Sequence, residues 1–200
     1  MLSQNLTDRL LRLFRFMDRN RDGVIEYEAD LVAIAQKIAQ RKFPDTTPDY
    51  QGLFELLAKT YSWENSRRDI NRDGKVTPDE FLEGHQKLAK QMTASPTQGI
   101  EFIAKAAGGF FDVLDLDGDG YLSLEDVQDY ANAYEKGGDW VAANFRSLIA
   151  EGLPENASDE MIDRGMSKSQ FLELVRQFWF EPDESLPGSR LFGRAAETNW

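Results

Sequence analysis

Two stretches of the chain set carboxylates, small polar groups and a glycine at intervals that suit coordination of a hard divalent cation, and a third comes close. The most regular is Asp115 to Asp126. Counted as a twelve-residue loop, it has Asp115, Asp117 and Asp119 at positions 1, 3 and 5. Gly120 stands at position 6, where the chain must turn sharply and a Cβ is costly. The carbonyl of Tyr121 follows at position 7, Ser123 at position 9 and Asp126 at position 12. Asp69 to Glu80 repeats the order with Asp69, Asn71, Asp73, Lys75 (through its carbonyl), Thr77 and Glu80. A solvated Asp-Gly turn explains the acids and the glycine. It does not explain alternating ligands, an apolar residue at position 8 (Val76, Leu122) and helical patterns on both sides.

This is the ligand order of a calcium-binding EF-hand loop. Ca²⁺ takes six to eight oxygen ligands, and a short loop dense in Asp around one Gly supplies them. The third stretch begins at Asp18. Asp18, Asn20 and Asp22 take positions 1, 3 and 5, Val24 offers its carbonyl and Glu26 takes position 9. Position 12 is then Ala29, which has no ligand atom, and Asp30 comes one residue later. Two readings follow: an inserted residue with Asp30 reaching back to close the loop, or a loop that has lost its last ligand. The first is adopted. At the Asp115 loop the closing Asp126 is one methylene shorter than Glu80. A short carboxylate tends to bind through one oxygen, so Mg²⁺ is expected to compete there with Ca²⁺.

The loops need helices to hold them. Leu6, Leu10, Leu13, Phe14 and Met17 recur at helical spacing and lead into Asp18, with Ser3 or Thr7 as the cap. Leu53 to Tyr61 leads into Asp69, where Asn65 and Arg68 occupy usually apolar positions and suggest a bent or offset helix. Pro78 to Gln91 leaves the second loop, Ile100 to Leu114 enters the third, and Leu124 to Tyr134 leaves it. Two later helical runs, Trp140 to Ala150 and one from about Ser169, frame a notional fourth loop at Asp159 to Gln170. Met161 at its position 3, Arg164 at position 6 and Gln170 at position 12 mark it as degenerate and metal-free. The four loop starts lie roughly 50 residues apart, which makes a four-fold repeat. The expected fold class is all-α, with four helix-loop-helix hands in two paired lobes. Short antiparallel strands should join the loops, pairing Ile25 with Val76 and Leu122 with Met166. The expected divisions are residues 1–92 (loops 18–30 and 69–80), 97–180 (loops 115–126 and 159–170), and a tail, 181–200, folding back over the core at least to Phe192.

The chain has 200 residues, a formal net charge of −12, 41% hydrophobic and 12% aromatic residues. That is enough for a core and argues against a disordered acidic chain. The acidic balance argues against nucleic acid as a partner. With no cysteine and one histidine, thiol chemistry and a Cys–His or Ser–His arrangement lack support, so no enzyme is expected. No stretch reads as a signal peptide or membrane span, so a cytoplasmic monomer is the default expectation.

The three loops with an eroded fourth resemble the sarcoplasmic calcium-binding protein family, in particular its bacterial calerythrin-like branch. Phe171-Leu-Glu-Leu-Val-Arg-Gln-Phe-Trp-Phe180 followed by Pro187-Gly-Ser-Arg-Leu-Phe-Gly193 is similar to the final helix and tail of that branch. The resemblance implies compact paired lobes and cytosolic calcium buffering or signalling, with ligands in loops 18–30, 69–80 and 115–126. The chain departs from the pattern in keeping its second hand and losing its fourth. Three functions follow: a Ca²⁺ buffer, a Ca²⁺ sensor with a groove for a protein partner, and a photoprotein-like or luciferin-binding chromophore carrier. Five Met are few for a sensor, and the single His85 is few for a chromophore site, so the buffer is preferred.

Overall fold

The computed structural model describes residues 2–115, 117–153 and 158–194. Nine α-helices and four two-residue strands appear among them. Ser3, not Thr7, caps α1 (Gln4–Met17) by accepting the Leu6 N–H. Strand β1 (Ile25–Glu26) follows the first loop, then a π-helical turn (Tyr27–Val32), then α2 (Ala33–Lys42). Helix α3 (Pro48–Arg68), β2 (Lys75–Val76) and α4 (Pro78–Ala94) form the second hand. Only Ser95 separates α4 from α5 (Pro96–Leu114). The polar stretch 91–99 is therefore largely helix, with Pro96 in the first turn of α5, where its missing N–H costs nothing.

The third hand continues through β3 (Tyr121–Leu122) into α6 (Leu124–Ala133). The fourth comprises α7 (Asp139–Glu151), α8 (Asp159–Asp163), β4 (Met166–Ser167) and α9 (Lys168–Phe180). The strands pair antiparallel as expected, Ile25 with Val76 and Leu122 with Met166. Each pair buries its two apolar side chains, so the hands join through a small apolar bridge between otherwise polar loops.

One expectation is corrected, at the fourth loop. Helix α3 runs without a break to Arg68. Arg68 is tolerated inside because its guanidinium lies over the Phe81 ring at 4.7 Å and its Nη2 pairs with Glu64 at 2.9 Å. The notional fourth loop is not an open loop at its start. Asp159 to Asp163 form α8, capped by Ser158 accepting the Met161 N–H. The left-handed residue is Gly165 (φ +105°), not Arg164, and a Cβ there would overlap the Leu122 carbonyl of the paired strand.

The largest core cluster draws on both halves of the chain. Leu10, Phe16, Leu31, Leu57 and Phe81 meet Val113, Tyr134 and Phe178. The tail adds a 3₁₀ turn (Pro187–Arg190) against α9 and α7. Phe192 beyond it lies 5.3 Å from the Phe16 ring and 5.1 Å from Phe178. Trp200 lies outside the described residues. Arg9 fastens the arrangement: buried in α1, it donates through Nη1 to the carbonyls of Gln177, Phe178 and Glu181 and pairs with Glu184. These are C-terminal carbonyls of α9, where a cation is electrostatically favoured.

Candidate metal centres

The first half of each regular loop is built on one backbone plan. Positions 4 and 6 are left-handed in all three: Arg21 and Gly23, Arg72 and Gly74, Gly118 and Gly120. The position 1 carboxylate accepts the N–H of the position 6 glycine, at 3.0 Å for Asp18, 2.9 Å for Asp69 and 3.0 Å for Asp115. The position 3 oxygen accepts the N–H of position 5: Asn20 from Asp22, Asn71 from Asp73, Asp117 from Asp119. The position 5 oxygen accepts the N–H of position 7: Asp22 from Val24, Asp73 from Lys75, Asp119 from Tyr121. Each loop thus fixes its acids by backbone donors.

The second half fixes the closing acid. Glu80 accepts the N–H groups of Ile70 and Asn71 on Oε1, both at 3.2 Å, and that of Thr77 on Oε2 at 3.0 Å. Thr77 and Glu80 are also the capping box of α4. One pair of residues therefore starts the exit helix and closes the loop. The N–H donors, Thr77 foremost, hold the Glu80 carboxyl below the usual carboxylate range.

Asp30 does the same work from a different place. Its Oδ1 accepts the N–H groups of Arg19 and Asn20 at 3.0 and 3.3 Å, and its Oδ2 that of Glu26 at 2.9 Å. These are the loop positions that serve Glu80. The π-helical turn Tyr27–Val32 makes this possible, because a wider turn absorbs one extra residue while the helix goes on. Ala29 faces no such donors. Asp30 is fully buried, and burial raises its pKa against the pull of the three N–H groups.

The third loop differs at its close. Asp126 Oδ2 accepts the Ser123 N–H at 3.0 Å in the capping box of α6. Its Oδ1 lies 2.5 Å from Nζ of Lys42, the last residue of α2 in the other half of the chain. Around this pair the basic edge of α2 meets the acidic edge of α6, with Arg41 on Asp129 and Lys37 on Glu135 just beyond α6.

The residues fit a hard cation. Asp115, Asp117 and Asp119 hold carboxylate oxygens within 4.8 Å of one another. Burial, with repulsion from Asp117 and Asp119 added, raises the Asp115 pKa. One oxygen of Asp18 and one of Asp115 are buried with no hydrogen-bond partner. An orphaned carboxylate oxygen at position 1 of two loops is what an ion-coordinating group looks like without its ion. Glu26 is also committed elsewhere: its carboxylate lies 2.8 Å from Lys75 Nζ on the paired strand.

In the fourth hand the residues at positions 6 and 12 make protein contacts. Gln170 sends Nε2 to the carbonyls of Leu148 and Ile149, capping the end of α7. Arg164 lies 4.1 Å over the Tyr121 ring of the third loop. Sequence reasoning missed Lys42 and Arg9, whose partners are remote in the chain. It also missed the α7 cap by Gln170, although a Gln at position 12 was the visible signal.

Comparison with known proteins agrees with this geometry. An EF-hand family model matches residues 11–28, 69–84 and 109–129, and so spans the three regular loops. A sarcoplasmic calcium-binding protein (alpha-B and -A chains) of the shrimp Penaeus is 25% identical over 197 residues, covering 93% of this chain and 94% of its own. The solved sarcoplasmic calcium-binding protein of amphioxus superposes with a TM-score of 0.60 at 20% identity, covering 94% of this chain and 98% of that one. The Ca-loaded apo form of the coelenterazine-binding protein of Renilla muelleri has the same fold, with a TM-score of 0.66 at 18% identity over 96% and 99% of the two chains. With its strand-paired hands and near end-to-end match to these relatives, the chain has the EF-hand fold and is similar along most of its length to sarcoplasmic calcium-binding proteins.

Proposed function

We propose that the protein is a Ca²⁺ buffer with three working sites, in loops 18–30, 69–80 and 115–126. The observation that carries this reading is the shared cage: the same backbone donors orient Asp30 and Glu80, and the same left-handed positions shape all three loops. The ligands would be Asp18, Asn20, Asp22, the Val24 carbonyl, Glu26 or a water it holds, and Asp30. The second loop would use Asp69, Asn71, Asp73, the Lys75 carbonyl, Thr77 and Glu80. The third would use Asp115, Asp117, Asp119, the Tyr121 carbonyl, Ser123 and Asp126. When bound, the ion supplies the positive charge that these acids otherwise lack, and its binding should raise the melting temperature. A cytoplasmic monomer fits this role.

The buffer reading is favoured over a sensor because the apolar faces of the hands are packed into core clusters, the largest of which joins both halves of the chain. Among the described residues the large exposed apolar side chains are scattered: Leu56, Trp63, Ile100 and Met161. A sensor must instead open a groove, and buffer hands barely open. Calorimetric titration with Ca²⁺ in excess Mg²⁺ should give three bound ions. Two would mean that Asp30 does not close the first loop. A large Ca²⁺-dependent rise in binding of an apolar dye would replace the buffer with a sensor.

The third loop is proposed as a mixed Ca²⁺/Mg²⁺ site, supported by the short Asp126 and by Lys42 on one of its oxygens. Asp126→Glu should raise Ca²⁺ selectivity there, read as Ca²⁺ titrations with and without Mg²⁺. Unchanged Mg²⁺ competition would sink the idea.

A further inference from the structure

The ion loops leave one internal feature unexplained. A half-enclosed cavity of about 170 Å³ lies between α1, α3, α5, α6, α7, α9 and the tail. None of the proposed ion ligands lines it. Close-packed interiors hold few voids larger than a water molecule. An apolar cavity of ~150 Å³ stays dry and takes up benzene, so this one has room for one or two fused rings. Its wall is mostly apolar and partly aromatic, with Phe16, Phe110, Phe171 and Trp179 among the lining side chains.

The wall is not uniform. Helix α3 presents Tyr61, Glu64 and Arg68 to the cavity on successive turns. Tyr134, from just past α6, donates its hydroxyl to Tyr61 Oη at 3.1 Å. Burial pushes both phenols up, so they stay protonated. Arg68 Nε is buried with no hydrogen-bond partner. Glu64 and Arg68 are the charged residues of the lining and pair with each other, with Arg67 sharing the Glu64 oxygen from outside it, and this pairing favours a neutral hydroxyl over a carboxylate. A hydroxyl can both accept from and donate to such a cluster.

We propose that this cavity is a binding site for a small phenol of one or two rings. The rings lie against Phe110 and Trp179, and the hydroxyl meets the Tyr61–Tyr134 pair and Arg68. The site goes beyond the buffering role and stands apart from it, since ions and phenol occupy different residues.

The test uses 2-naphthol, naphthalene and 2-naphthoate with the full chain, read by calorimetry and by fluorescence of the lining Trp140 and Trp179. One 2-naphthol should bind per chain, at least about fivefold tighter than either analogue, the gain of one buried hydrogen bond. Ala106→Phe, which fills the cavity, should abolish binding. Tyr61→Phe should erase the preference for naphthol and leave naphthalene affinity in place. A Ca²⁺ titration on each variant reports folding separately. No saturable binding to protein that takes up its ions, binding that survives Ala106→Phe, or equal affinity for naphthol and naphthalene would each overturn the proposal.

Discussion

The first and third hands both close with an aspartate where the second closes with a glutamate, and they handle the shorter side chain in opposite ways. The first moves the backbone. An extra residue and a π-helical turn carry Asp30 to a place where three N–H groups hold both its oxygens. The third keeps the twelve-residue backbone, and among the described residues Asp126 Oδ1 meets Lys42 from another hand while Oδ2 accepts the Ser123 N–H. The difference teaches that the closing position is an electrostatic requirement rather than a residue identity. A carboxylate must sit there with its charge compensated, by backbone N–H groups in the first loop and by an ammonium together with a backbone N–H in the third.

The strongest way to break the comparison is Asp30→Ala. If Asp30 closes the loop, calorimetry should lose one of three ions, with affinity at that loop falling at least about a hundredfold, as for removal of one partner of a buried charged set. Deleting Ala29 should restore a twelve-residue loop and keep the ion. Loss of the ion on that deletion would mean the π-helical turn is needed for more than spacing.

Gly165→Ala tests whether the fourth hand, paired to the third through Met166 and Leu122, supports the third loop. Its positive φ and the approach of the Leu122 carbonyl predict a loss of about 2–3 kcal/mol in denaturant unfolding, with weaker ion binding in the third loop. A stability loss that leaves the third loop's affinity intact would separate the two hands.

Lys42→Met sharpens the comparison from the other side. Both partners are mostly buried, so removing the ammonium frees Asp126 for the ion. Ca²⁺ affinity at the third loop should rise about five- to tenfold, while the metal-free protein melts lower. Unchanged affinity would show that Asp126 is closed off by something other than Lys42.

The smallest effect concerns His85, buried in α4 between Phe81 and Trp179. Burial, with Arg68 and Arg67 nearby, holds its pKa well below the ordinary value. The folded ring stays neutral where the unfolded ring takes up a proton, below pH about 6.5. The unfolded state then binds more protons, so this contribution is complete above that pH and is lost as pH falls below it. His85→Phe should flatten the stability change between pH 7 and 5 by at most about 1.4 kcal/mol per pH unit. An unaltered slope would assign it to other groups.

The sequence by itself determined the loops, their repeat and the strand pairs, because ligand order, turn glycines and apolar periodicity are local and are repeated along the chain. It also exposed the decay of the fourth hand in Arg164 and Gln170. It raised the question of Ala29 and Asp30 without answering it, since a π-helical turn is chosen by where the buried carboxylate finds donors, not by the local residues. Tertiary structure alone decided that Lys42 sits on Asp126, that Arg9 caps the last helix and that Arg68 fits inside beneath Phe81. Lys42 and Arg9 are charges placed beside partners far away in the chain, which only the packing of helices from both halves brings together, while Arg68 meets Phe81 across its own hand.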